Sequence, residues 1–145
     1  MAVKRMKNLK KRLPKNPELQ QNVSKQIEDY LKKGYAHKLT AQDLEDAVPG
    51  KVWYLPLNVV LNPKKPSKVR LVWDAAAAVN GSSLNSALLK GPDLLTNLPV
   101  VLYHFRERPI AFGGDIMEMY HQIRIRRSDK QSQRFLYRND PFGPP

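Results

Sequence analysis

The chain has 145 residues, and its 25 lysines and arginines outnumber 13 acids for a net charge of +12. Without cysteine it can form neither a disulfide framework nor a thiolate metal site. No apolar run reaches the roughly 18 residues of a membrane helix, and the lysine-rich start lacks the apolar centre of a secretory signal; the chain is expected to be intracellular, neither secreted nor membrane-bound, in a compartment that stays unknown.

The charge excess favours a polyanion such as RNA or DNA, through counterion release. It is unevenly spread. Residues 1–15 hold seven basic residues and no acid, residues 51–80 hold five against Asp74 alone, and residues 16–50 hold six acids against four lysines. Each basic run taken alone also reads as a solvated tail or face. Twelve prolines and a mean hydropathy of −0.55 speak against one compact, idealised core.

In chain order, residues 3–13 suit a basic helix with Val3, Met6, Leu9 and Leu13 on one side. Residues 16–33 suit a longer one: Asn16 as N-cap, Pro17 at the first helical position, Glu18 at the positive end of the dipole. Leu19, Val23, Ile27, Tyr30 and Leu31 recur at helical spacing, and Gly34 stops the helix. "TAQD" at 40–43 resembles a capping box opening a short helix that ends at "VPG". "VWYLPLNVVL" (52–61) and "KVRLVW" (68–73) are rich in β-branched and aromatic residues. They flank "NPKKPS" (62–67), which predicts a hairpin with a basic tip. Pro56 must sit at an edge or a bulge. Asp74 reads as structural, paired with a nearby cation. "VNGSSLN" (79–85) reads as a turn.

A main helix is predicted from near Asn97, with Pro99 in its first turn and Leu98, Leu102 and Phe105 facing one way. "PIAFGGDI" (109–116) is predicted as a strand and "MEMYHQ" as one helical turn, after which "IRI" is extended. "SDKQSQ" (128–133) is a polar turn and "RFLYR" (134–138) a last strand, followed by the loop "NDPFGPP". The expected fold class is α+β.

Asp115, inside "GGDIMEMYHQIRI", ends an apolar run. A carboxylate at a strand end can hold a divalent cation, and the small Gly113 and Gly114 let a phosphate or another backbone approach. On local pattern alone the plainer reading is that it caps the helical turn that follows. Tyr120, on residues alone, reads as a core aromatic at helical spacing.

The segment D-I-x-x-M-Y-x-Q-I at 115–123 resembles the first catalytic motif of reverse transcriptases. The whole order resembles the BEL/Pao class of long-terminal-repeat retrotransposons. That order runs "NPELQQNVSKQIEDYLKKGY", "WYLPLNVVLNP", "KVRLVWDAAAAVNGSSLNSALLKGPDLL", "FRERPIAFGGDIMEMYHQIRI" and "QRFLYR". It covers roughly residues 12–140, and its combination of motifs is more specific than any one of them.

The resemblance implies a partial right-hand polymerase, an incomplete domain. Residues 1–15 would be a basic lead-in, 16–90 the N-terminal helices and fingers hairpin, 91–125 the start of the palm, and 126–145 a truncated return segment. It implies that Asp115 is a catalytic carboxylate and magnesium ligand, shared by two metals, with the Ile116 backbone beside it. Lys68 and Arg70 would contact the triphosphate of an incoming deoxynucleotide, where a guanidinium makes charge-assisted bonds. Tyr120 would be the steric gate against a 2′-hydroxyl, and Gln122 would line the same pocket. Lys64 and Lys65 at the hairpin tip are weaker phosphate contacts, and a solvated tip is the plain alternative. The partners implied are an RNA or DNA primer–template and a deoxynucleotide.

The departures are specific. The family's Asp-Asp turn occurs nowhere in the 145 residues, and the acids after Asp115 are only Glu118, Asp129 and Asp140. Leu57 and Asn58 stand where histidines are usual, and "DAAAA" replaces a more polar segment. The expectation is therefore a fragment of an RNA-directed DNA polymerase, inactive alone. The alternatives are a non-catalytic basic nucleic-acid-binding protein, or a pseudogene product.

Overall fold

The computed structural model describes residues 1–138, so the loop expected over 139–145 lies outside the described residues. Helices and two small sheets make a mixed α+β chain. Contacts divide it into two units: Met1–Leu88 with Ile125–Pro145, and Leu89–Arg124.

In the first unit, α1 (Ala2–Arg12) and α2 (Pro17–Lys32) lie against a hairpin of β2 (Leu57–Asn62) and β3 (Lys65–Trp73). The start of α2 follows from its sequence. The Asn16 carboxamide oxygen accepts the Leu19 N–H at 3.0 Å, Pro17 occupies the first turn, and Gly34 leaves the helix at φ +73°. Leu19, Val23, Ile27 and Tyr30 are buried on its inner face. They join Leu9 and Leu13 from the α1 end and Leu57, Val59, Val69 and Leu71 from the hairpin in one core. The basic lead-in is thus part of this core. Arg12 is part of the join, its guanidinium donating to the Val59 carbonyl at 3.1 Å.

The Thr40 capping box opens α3 (Ala41–Glu45) as its sequence predicts, with both reciprocal bonds present. Pro56 is buried and divides the first strand in two, because it has no N–H for a ladder. Before it, β1 (Tyr54–Leu55) pairs in parallel with β4 (Arg134–Phe135); after it, β2 pairs antiparallel with β3. The last strand is therefore two residues long rather than five. Trp73 bridges the two sheets' surroundings, with ring centroids 5.8 Å from Tyr30 and 5.4 Å from Phe135.

The turn after the hairpin is tighter than a simple loop. Val79 and Ser82 exchange two backbone hydrogen bonds around Asn80 and Gly81, both at positive φ. A second capping box, Ser83 with Ser86, then opens the short helix α4 (Leu84–Ala87), where sequence reading expects only a turn.

The second unit holds α5 (Leu98–Arg106), with Pro99 in its first turn as predicted, and the single turn α6 (Met119–Gln122). The strand predicted over 109–116 does not form. No described segment pairs with it, and Ile110 and Phe112 are 82% and 92% exposed. An apolar run becomes a strand only when its N–H and C=O groups find a ladder, and two glycines weaken the preference further.

Candidate functional site

The hairpin positions its cations by strand alternation. Along β3, Val69 and Leu71 are buried while Lys68 and Arg70 are exposed on the other face. Arg70 stands opposite the exposed Val60, and Leu71 opposite the buried Val59. The register is regular up to Leu61–Val69, then shifts so that Asn62 pairs with Lys65. Residues 66–68 have no partner in that register, which suits Pro66 because a proline cannot donate to the ladder. At the tip the Lys64 N–H donates to the Asn62 side-chain oxygen at 3.0 Å, and the Lys64 side chain points to solvent. None of Lys64, Lys68 and Arg70 forms an ion pair with a described residue.

Among the described residues Asp74 has no ion pair with a cation, contrary to expectation. Its carboxylate accepts the Ala76 N–H at 3.2 Å, and its own N–H donates to the Pro56 carbonyl at 2.9 Å. The carboxylate is thus engaged by the backbone two residues on, and the residue closes the turn after β3.

The second unit carries the other candidates. Asp115 is exposed and sits in irregular backbone, not at a strand end. It does not cap α6 either: the N-cap is Glu118, at φ +54° and without a side-chain cap bond. Ile116 is 62% and Tyr120 82% exposed. The Gln122 amide donates to the Met117 carbonyl at 3.4 Å. Tyr120 and Gln122 share the single turn of α6 but, two residues apart, leave it on different sides. Among the described residues no three His, Cys, Asp or Glu side chains stand close enough to share a metal ion. One carboxylate and a backbone carbonyl are not by themselves a magnesium site, which needs near-octahedral oxygen ligation.

The sequence marks no site role for Arg134, and this residue is the buried charge among the described residues, 6% exposed. Its guanidinium donates to the Gln131 side chain, to the Asp43 carbonyl at 2.8 Å and to the Tyr54 hydroxyl at 3.3 Å. It also lies 5.8 Å from the Tyr54 ring centre. These contacts tie α3, β1 and β4 together beside a cleft of about 390 Å³. Asp43, on the cleft wall, is held below its ordinary pKa. The Thr40 N–H bond is the main cause, followed by the Thr40 hydroxyl, with His37 at 3.6 Å adding to it. Arg127 faces Asp46 at 3.6 Å. The cleft's charges are thus largely answered within the protein. Only the folded chain could reveal Arg134, because Tyr54 and Asp43 lie 80 and 91 residues away in the sequence.

No helix among the described residues is long and apolar enough to cross a membrane. No protein-family model, curated protein or solved structure matches the chain.

Proposed function

We propose that these residues are the fingers and first part of the palm of an RNA-directed DNA polymerase of the BEL/Pao retrotransposon class. The observation that carries the reading is the order of motifs: "KVRLVWDA", "NGSSLNSALLKGPDLL" and "DIMEMYHQI", at their spacing in one chain. The hairpin supports it, because Lys68 and Arg70 are presented together, exposed and without an ion pair among the described residues, as a triphosphate contact requires. In this reading Asp115 and the Ile116 backbone contribute to a magnesium site. Further carboxylates outside these 145 residues and the nucleotide's phosphates supply the rest. Magnesium would supply charge neutralisation at the transferred phosphoryl group. Arg70 and Lys68 would orient that group, and Tyr120 would exclude a 2′-hydroxyl.

The 145-residue chain on its own is expected to add no deoxynucleotide to a primed template with Mg²⁺ or Mn²⁺. The test is the transcript beyond the codon for Pro145. An in-frame aromatic-x-Asp-Asp turn is expected. The continuous product should then extend a primer, and Asp115→Asn should abolish extension. A stop codon in that place, or an Asp115→Asn product that still extends, overturns the enzyme reading.

A further inference from the structure

We infer that the outer face of α1 is a separate surface for a nucleic-acid backbone, on the far side of the core from Lys68 and Arg70. This inference stands apart from the nucleotide contacts proposed above and does not require them.

The helix carries six basic residues and no acid. The core uses one side of it: Ala2 and Leu9 are buried and Met6 is half-buried. Arg12 is committed to the Val59 carbonyl, and Lys10 is half-buried. Of the other four, Arg5 is exposed but stands about 100° round the helix from Lys4, toward the buried side, and Lys4, Lys7 and Lys11 share the outer face. At i, i+3 and i+7 they fall within about 60° of one another around the helix, opposite the buried stripe, and span about 10 Å along its axis. All three are exposed, and none forms an ion pair with a described residue. Asn8 lies beside them, exposed, as a neutral hydrogen-bonding side chain.

The two cationic faces are separated by the fold. Val69 and Leu71 turn toward the helices, so Lys68 and Arg70 lie on the face of the hairpin away from α1. The lysine stripe lies on the side of α1 away from the hairpin. One short ligand cannot bridge both through the core. A polyanion fits the stripe by charge and spacing, since duplex DNA offers one phosphate per about 1.7 Å of axis. An anionic bilayer fits it poorly. Helices that lie on membranes keep an apolar side free, and here that side is in the core, leaving Val3 exposed.

The test uses the full 145-residue chain, a fluorescently labelled 20-base-pair duplex and anisotropy at several salt concentrations. Each lysine that neutralises one phosphate contributes about 0.9 to the slope of log affinity against log salt. The variant K4Q/K7Q/K11Q is therefore expected to have a slope shallower by about 2.7, its deficit against wild type shrinking about 40-fold between 50 and 200 mM salt. K4R/K7R/K11R, which keeps the charge, should retain wild-type binding. The loss should add to that of K68A/R70A to within about twofold, since the faces share no partner. Deoxynucleotide binding should be unchanged in K4Q/K7Q/K11Q. An unchanged salt slope overturns the inference. So does loss of binding to phosphatidylserine vesicles with duplex binding intact. Failure of K68A/R70A to affect deoxynucleotide binding would instead count against the polymerase reading alone.

Discussion

Helices α2 and α5 are both amphipathic, both begin at an Asn-capped turn with a proline near their start, and have opposite fates. The apolar stripe of α2 is buried against α1 and the hairpin. The corresponding stripe of α5, Leu98, Leu102 and Phe105, stays 43–67% exposed. The same contrast runs through the two units. Residues around the hairpin form two layers over a shared core, while Leu89, Leu94, Leu95, Ile110, Phe112 and Tyr120 in the other unit are at least 82% exposed. Periodicity makes a helix amphipathic, but stabilisation comes from burying the stripe on a second layer. Residues 115–123, on which the polymerase proposal draws, lie where that second layer is not supplied by the described residues.

This contrast predicts graded effects on unfolding, followed by the fluorescence of Trp53 and Trp73, both in the first unit. The largest belongs to the core. Leu57→Ala removes a side chain only 3% exposed and is expected to cost about 2–5 kcal/mol. Leu95→Ala, at an 88% exposed position, should stay within about 0.5 kcal/mol. Similar losses from the two would erase the distinction between the units.

Arg134 comes next. Arg134→Ala removes a buried side chain and leaves the half-buried Asp43 carbonyl and Gln131 side chain without its bonds, and should cost about 1–3 kcal/mol. Arg134→Lys should restore little, because an ammonium cannot reproduce the fork that reaches Gln131, Asp43 and Tyr54 together. Full rescue by lysine would reduce the residue to a generic charge.

Capping sharpens the comparison at about 1 kcal/mol. Asn16→Ala removes a side-chain bond to the Leu19 N–H and should cost about that much. Asn97 caps α5 without such a bond, so Asn97→Ala should leave the helical circular dichroism of the chain unchanged. Equal losses at the two positions would mean that α5 is held as firmly as α2.

The smallest effect is in the pH profile. Burial raises the pKa of Tyr137 above its ordinary 10.0, and the nearby Glu28 adds to this, against an opposing bond from Ser24 at 3.0 Å. The folded state therefore favours the protonated phenol. Its contribution is complete below the unfolded pKa and is lost as pH rises through the folded one. Denaturation midpoints between pH 9 and 12 should fall more steeply in the wild type than in Tyr137→Phe. Parallel profiles would show that Tyr137 is not buried in solution.

Much of the fold is legible in local sequence, where the cause is local. The Asn16 cap, the Thr40 box, Pro99 in the first turn of α5 and the alternation along β3 each depend on residues within a few positions. The missed α4 follows the same rule: Ser83 and Ser86 are a capping pair three apart, hidden by the turn residues that precede them. The strand predicted over 109–116 fails because an apolar run does not say whether a partner strand exists.

The candidate site divides along the same line. The sequence alone supplied the motif order, the charge, the absence of cysteine and the identity of the cations on β3. Their exposed face could be read from their alternation with Val69 and Leu71. Only the tertiary structure decided that Pro56 would end one sheet and begin another. Only it decided that β4 would return beside β1, that Arg134 would be buried among groups eighty and ninety residues away, and that α1's lysines would stand across the core from Arg70. Propensity and capping act over one turn of chain, whereas pairing partners and burial depend on contacts between segments that no local pattern specifies.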